Sequence, residues 1–167
     1  MATFGDNLGG RLPLLNPDDL KSDQKKLYNQ LQDTMVPWAK KSGFQAQTFD
    51  EKLIGPFNAM LRSPDIAAAL LKVTAAEGEY TALTERVRQV ALAAGQKPAS
   101  LSADEAVAYD FTHRLATTHQ VDAQLYEQAI VTFGEKGVVD MIVLAGQYMT
   151  ISGLLNTFAV PAPAPQQ

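Results

Sequence analysis

The stretch Ser102-Ala103-Asp104-Glu105-Ala106-Val107-Ala108-Tyr109-Asp110-Phe111-Thr112-His113-Arg114-Leu115 decides the fold. Ser102 and Glu105 have the spacing of a capping box. In that motif the serine side chain takes the backbone N–H of the third helical residue, and the glutamate carboxylate reaches back to the serine amide. Behind the box, Val107, Phe111 and Leu115 recur every four residues, which places them on one face of a helix.

The pattern repeats outward in both directions. Towards the C-terminus, Asp122 can cap a helix through Leu125, Ile130 and Phe133 that Gly134 closes. A last helix from about Val138 to Phe158 is apolar on almost every side, as expected of a central bundle helix or one at a subunit interface. Towards the N-terminus, Thr84 can cap Glu85 to Ala94, with Gly95 as a left-handed stop. Ser63-Pro64 starts a helix through Ile66, Leu70, Leu71 and Val73 towards Glu79. Pro56 to Leu61 reads as a helical turn and Phe44 to Gly55 as a loop. Ser22 is the expected cap of a helix that carries Leu27, Leu31 and Met35 on one face and breaks at Pro37 and Gly43. Residues 1–16 read as an arm, and Pro161 to Gln167 as an extended Pro-rich tail. No segment alternates with period two. The expected fold is an all-α helical bundle of about six helices, in one domain over residues 1–160 with a tail at 161–167.

Composition narrows the chemistry. Hydrophobic residues make up 46% and charged residues 19%, enough apolar content for a core. The net charge of −4 and the lack of any basic cluster beyond Lys25-Lys26 and Lys40-Lys41 argue against nucleic acid. Zero cysteines exclude a disulfide, a thiolate nucleophile and a Cys-containing zinc site. His113 and His119 do not form a recognisable metal site, so neither a metal nor a cofactor is expected. Met1 to Gly10 has no apolar core of a signal peptide. Asp140, Gln147 and Asn156 interrupt the most apolar run, so a buried helix is expected there rather than a membrane span. Cytoplasm is the expected location.

Several segments carry a resemblance. They are Arg11-Leu12-Pro13-Leu14-Leu15-Asn16-Pro17-Asp18-Asp19-Leu20, Met35-Val36-Pro37-Trp38-Ala39, Leu53-Ile54-Gly55-Pro56-Phe57-Asn58, Ser63-Pro64, Phe133-Gly134-Glu135-Lys136-Gly137-Val138-Val139-Asp140, and Leu155-Asn156-Thr157-Phe158-Ala159-Val160-Pro161. Together the chain resembles the carboxymuconolactone decarboxylase family, from Arg11 to Pro161. The resemblance implies an alkylhydroperoxidase D-like all-α fold, a homo-oligomer, and lyase activity on a small lactone or carboxylic acid. It also implies a truncation. After Leu92 the chain lacks a segment on the order of thirty residues, about two helices, where family members carry a His-terminated stretch. The glutamate that relays protons in the peroxidase branch aligns with Gln89, which does not titrate. Without cysteine the chain is not a thiol peroxidase.

The candidate catalytic residues are His119, Glu85 and Gln89. His119 is a candidate base because imidazole as a residue type can take up and release a proton; at a helix C-terminus it equally suits the negative end of the dipole. Glu85, with Glu77 and Glu79, can supply a carboxylate pair, although a first-turn glutamate is also explained by the helix dipole. Arg86 and Arg88 point to different sides of their helix, and one of them can grip a substrate carboxylate. Phe57 and Asn58 can line a pocket for the acid; the alternative is a tight turn with Phe57 in the core and Asn58 bonded to backbone. Three outcomes are expected: a decarboxylase-like enzyme with weak, altered or lost activity, a non-catalytic helical oligomeric scaffold, or a fragment left incomplete by the deletion that folds poorly alone and exposes apolar surface.

Overall fold

The computed structural model describes residues 8–92 and 97–162. The left-handed stop expected at Gly95, residues 163–167 of the expected tail and residues 1–7 lie outside the described residues, as does the stretch 93–96 that begins the expected truncation. Six α-helices follow a 3-10 turn at Pro17–Asp19, and the described residues form no strand. They are α1 (Ser22–Lys41), α2 (Pro56–Met60), α3 (Pro64–Tyr80), α4 (Glu85–Ala91), α5 (Ala103–Thr118) and α6 (Ala123–Thr157). The all-α expectation holds.

The chain divides into two compact units, one of Met1–Leu71 with Ile151–Gln167 and the other of Lys72–Thr150. In the first unit α1 buries Leu27, Tyr28 and Leu31 with Leu53, Phe57, Met60 and Leu61. Two details of α1 differ from expectation. Ser22 is its first helical residue and Lys21 occupies the cap, its amide donating to Gln24 Oε1 at 3.0 Å. Pro37 lies inside the helix and does not break it. Proline removes one backbone donor, but the last turn keeps its other bonds, with Ser42 N donating to Trp38 O at 3.0 Å. Gly43, at φ 79°, then turns the chain away.

The described part of the N-terminal arm, from residue 8 on, is docked. Arg11 N donates to Phe158 O at 2.6 Å. Gly10, at φ 64°, faces the same carbonyl, and a Cβ there would lie 2.1 Å from Phe158 O, so glycine is required by both conformation and space.

The second unit is built around Leu83, Val87, Ala108, Phe111, Ala129, Val138, Met141 and Leu144. Thr84 caps α4 as expected, accepting from Val87 N at 3.3 Å. Helix α4 ends at Ala91, short of the expected Ala94. At α5 the capping box forms, with Ser102 N donating to Glu105 Oε2 at 3.0 Å. Phe111 is fully buried, and Val107 and Leu115 are half-buried against the same cluster. Asp122 caps α6, accepting from Leu125 N at 3.0 Å. Two helices were expected beyond it; one helical run is present, interrupted only at Gly134, whose φ of 67° and ψ of 175° are non-helical.

Candidate functional site

In the second unit one side of α3 meets α4 and α6 through a line of polar groups. Thr74, Glu77 and Thr81 follow one another at helical spacing along the end of α3 and just beyond it. Thr74 Oγ1 donates to Gln147 Oε1 at 2.7 Å. Arg88 Nη2 donates to Glu77 Oε2 at 2.9 Å. Asp140 Oδ2 accepts from Ala82 N at 2.7 Å, Lys136 Nζ at 2.8 Å and Thr81 Oγ1 at 3.2 Å. Burial alone would raise the Asp140 carboxyl, but the combined bonds from Lys136, Ala82 and Thr81 outweigh it and hold the group below the ordinary aspartate value.

Between these groups lies a cleft of about 210 Å³, lined by Val73, Ala76, Glu77, Tyr80, Thr81, Lys136, Asp140 and Val143. Its walls are mainly hydrocarbon. Glu77 is the buried acid, 9% exposed. Its Oε1 has no hydrogen-bond partner, and the same holds for Arg88 Nε and Gln147 Nε2. Buried polar atoms are normally paired, so three orphans in one neighbourhood mark an unusual site. At the rim the Glu79 carboxylate accepts from the Tyr80 hydroxyl and pushes that phenol up.

The residues singled out from sequence are placed differently. Glu85 and Gln89 do come together, with Gln89 Nε2 donating to Glu85 Oε1 at 3.1 Å, but both are exposed. Glu85 also takes Arg88 Nη1 at 3.3 Å. Arg86 is exposed and paired with Glu105, whose carboxyl it holds below the ordinary range together with the Ser102 amide. Arg86 therefore ties α4 to α5, and Arg88 is the arginine that turns inward. His119 is the exposed C-cap of α5, in the left-handed conformation at φ 57°, its N–H donating to Leu115 O at 2.9 Å. His113 is exposed and stacks on Tyr109 with ring centroids 5.5 Å apart. It lines a shallow polar depression with Asp110, Arg114 and Asp122.

Phe57 and Asn58 belong to the first unit, where Phe57 is a core residue. Asn58 is fully engaged: it accepts from Leu15 N at 3.2 Å and Arg62 Nη1 at 2.7 Å, and donates to Pro13 O at 3.4 Å. It pins the arm. Among the described residues no cluster of three or more metal-ligating side chains occurs.

The sequence signalled the acids near Glu77 but not its partner. Glu77 and Arg88 stand eleven residues apart but on different helices, so periodicity within one helix does not reveal the pair. Asp140 stood out only as a charge within an apolar run.

A second feature is the surface of α6. By length and composition it is the one helix among the described residues apolar enough to cross a membrane, yet only 22% of its most apolar window is buried. Val139, Ile142 and Met149 are exposed at 57%, 45% and 41%. No family profile, curated protein or solved structure matches this chain.

Proposed function

We propose that this chain is a non-catalytic helical scaffold that self-associates through α6, on the oligomeric fold that its resemblance to the carboxymuconolactone decarboxylase family implies. The observation that carries the reading is the exposed stripe Val139, Ile142, Gly146 and Met149. These residues follow one another at steps of three, four and three, which is the seam of a helix that packs on another helix. Nothing lies within 4 Å of a Cβ built on Gly146, so a second backbone can approach closely there. From Met141 to Val160 the chain carries no charge. An uncharged stripe selects no oppositely charged partner. It is complementary to itself about a two-fold axis, the commonest symmetry of soluble oligomers.

Lyase chemistry on a lactone or carboxylic acid would require a base and an anion holder within reach of one substrate. The expected catalytic and binding side chains are instead surface groups, cap residues, or a packed core. This arrangement favours the scaffold over the enzyme.

The test is size-exclusion chromatography with light scattering across a dilution series, on the wild type and on Val139→Glu/Ile142→Glu. The expected result is a wild-type dimer or higher oligomer, with a variant that is monomeric and equally helical. A wild-type monomer throughout, or an unchanged mass in the variant, sinks the proposal. Flotation of the wild type with phosphatidylcholine vesicles would assign the stripe to a lipid surface instead. Turnover of a lactone acid by the purified chain would overturn the non-catalytic part.

A further inference from the structure

We infer that the ring of Phe49 from one copy of this chain seats in the cleft lined by Val73, Ala76 and Val143 of a second copy, with Glu51 of the first meeting Lys136 of the second. The inference extends the reading of the chain as a self-associating scaffold. It uses none of Val139, Ile142, Gly146 or Met149, so this contact and the α6 stripe can fail separately.

Three observations meet here. The first is the knob. Phe49 is 105% exposed, the most of any large apolar side chain among the described residues. It stands at the tip of a turn that is fixed from several sides. Gln47 pairs with Leu53 across the stem. Thr48 N donates to Lys52 O at 2.9 Å, and Lys52 N donates to Thr48 Oγ1 at 3.0 Å. The Tyr28 hydroxyl donates to Glu51 O at 3.0 Å. A single exposed apolar side chain needs no explanation by itself. On a fixed turn, however, the backbone is already ordered, and docking costs little further entropy. A turn tip also enters a narrow cleft, whereas Ile66 and Val131 project from the sides of α3 and α6, cylinders about 10–12 Å across.

The second is the hole. The cleft of about 210 Å³ has a hydrocarbon wall of Val73, Ala76 and Val143. Val73 and Val143 are 42% and 38% exposed. An apolar cavity of about 150 Å³ is enough for a benzene ring. Seating the Phe49 ring there removes apolar surface of both copies from water.

The third is charge. Asp50 is taken up by Lys52 at 2.7 Å, which leaves Glu51 as the exposed acid near the ring. In the cleft, Glu77 and Asp140 are matched by Arg88 and Lys136. A lysine ammonium has three donors. Two of those on Lys136 serve Asp140 at 2.8 Å and the Tyr80 carbonyl at 2.6 Å, and its side chain is 59% exposed. The third donor points to an acceptor from outside the chain, and the Glu51 carboxylate supplies one. Knob and hole are unlike surfaces, so each copy offers both halves of the contact.

The experiment is a nuclear magnetic resonance titration between full chains. The isotope-labelled protein is Phe49→Ser, which keeps the cleft and lacks the ring; its backbone amides from Glu77 to Thr81 are followed. Unlabelled wild type is added in one series and unlabelled Phe49→Ser in the other. Both carry the α6 stripe, so only the ring differs between them. Saturable shifts with the wild type alone are expected. Unlabelled Glu51→Gln should bind roughly two- to fivefold more weakly than the wild type. Ala76 is exposed on the cleft wall. Labelled Phe49→Ser/Ala76→Trp, with the cleft filled, should show no shifts and melt as Phe49→Ser does. The inference fails if both unlabelled proteins shift the amides alike, if the wild type gives no saturation, or if Ala76→Trp leaves binding intact. Flotation with phosphatidylcholine vesicles that Phe49→Ser abolishes would assign the tip to a lipid surface and overturn the pairing.

Discussion

Asp140 shows how one side chain is committed. It stands in the apolar α6, accepts three hydrogen bonds, and keeps only 17% of its side-chain surface exposed. Its carboxyl is held below the ordinary value, so the sign of its contribution is fixed. The stabilisation is present above the unfolded carboxyl value of about 3.9 and is lost as pH falls through the lower folded value. Asp140→Asn should therefore cost about 1–2 kcal/mol at neutral pH. Thermal melts of both proteins from neutral to acidic pH check this. The gap between them should stay level down to about pH 5 and close below about pH 4; a gap that widens on acidification contradicts the assignment. The sequence showed a charge in an apolar helix but not what satisfies it, because its partners Thr81 and Ala82 are 59 and 58 residues away.

At the scale of elements, α6 turns on Gly134. Its φ of 67° is a region that side chains rarely adopt, and no atom lies within 4 Å of a Cβ built there. The cost of a side chain is thus conformational and not steric. Gly134→Ala should destabilise by about 1–3 kcal/mol, or roughly 2–12 °C in Tm at this chain length. A circular dichroism melt reads the shift, and an unchanged Tm would show that the break tolerates an ordinary residue. Gly134 was legible as a stop, while the resumption of the helix directly after it was not. Glycine signals the left-handed turn by its own chemistry, whereas the direction of the chain beyond is set by burial of Val138, Met141 and Leu144. Pro37 is the converse case. Its ring disfavours a helix locally, yet α1 continues to Lys41 because Ala39 beyond it is buried with Leu27 and Leu31.

Over the whole molecule, each unit has its own buried cluster, with Leu31 central to the first and Met141 to the second, neither retaining exposed surface. Leu31→Ala and Met141→Ala should each cost about 2–5 kcal/mol through lost burial and the cavity left behind. Trp38, the only tryptophan, lies in the first unit, where it stacks on Phe44 with centroids 6.3 Å apart. Its fluorescence reports on that unit in a denaturant titration. Leu31→Ala should move the tryptophan midpoint to lower denaturant; a fluorescence midpoint that does not move would show that Leu31 is not central to the unit holding Trp38.

The all-α class, the capping box at Ser102 and Glu105, the caps at Thr84 and Asp122, and the buried faces at Leu27, Leu31 and Phe111 were all determined by sequence. Each depends on residues within one or two turns of each other, where helical periodicity and local hydrogen bonding act directly. The placement of functional groups was decided only by tertiary structure. Arg86 and Arg88 are two residues apart and chemically alike, yet one reaches Glu105 on α5 and the other Glu77 on α3. The apolar run in α6 was expected to be buried, and the structure corrects this, with only 22% of its most apolar stretch covered. A helix apolar on most sides suits a core or an interface equally well, and only the packing of the other elements shows which face they leave uncovered.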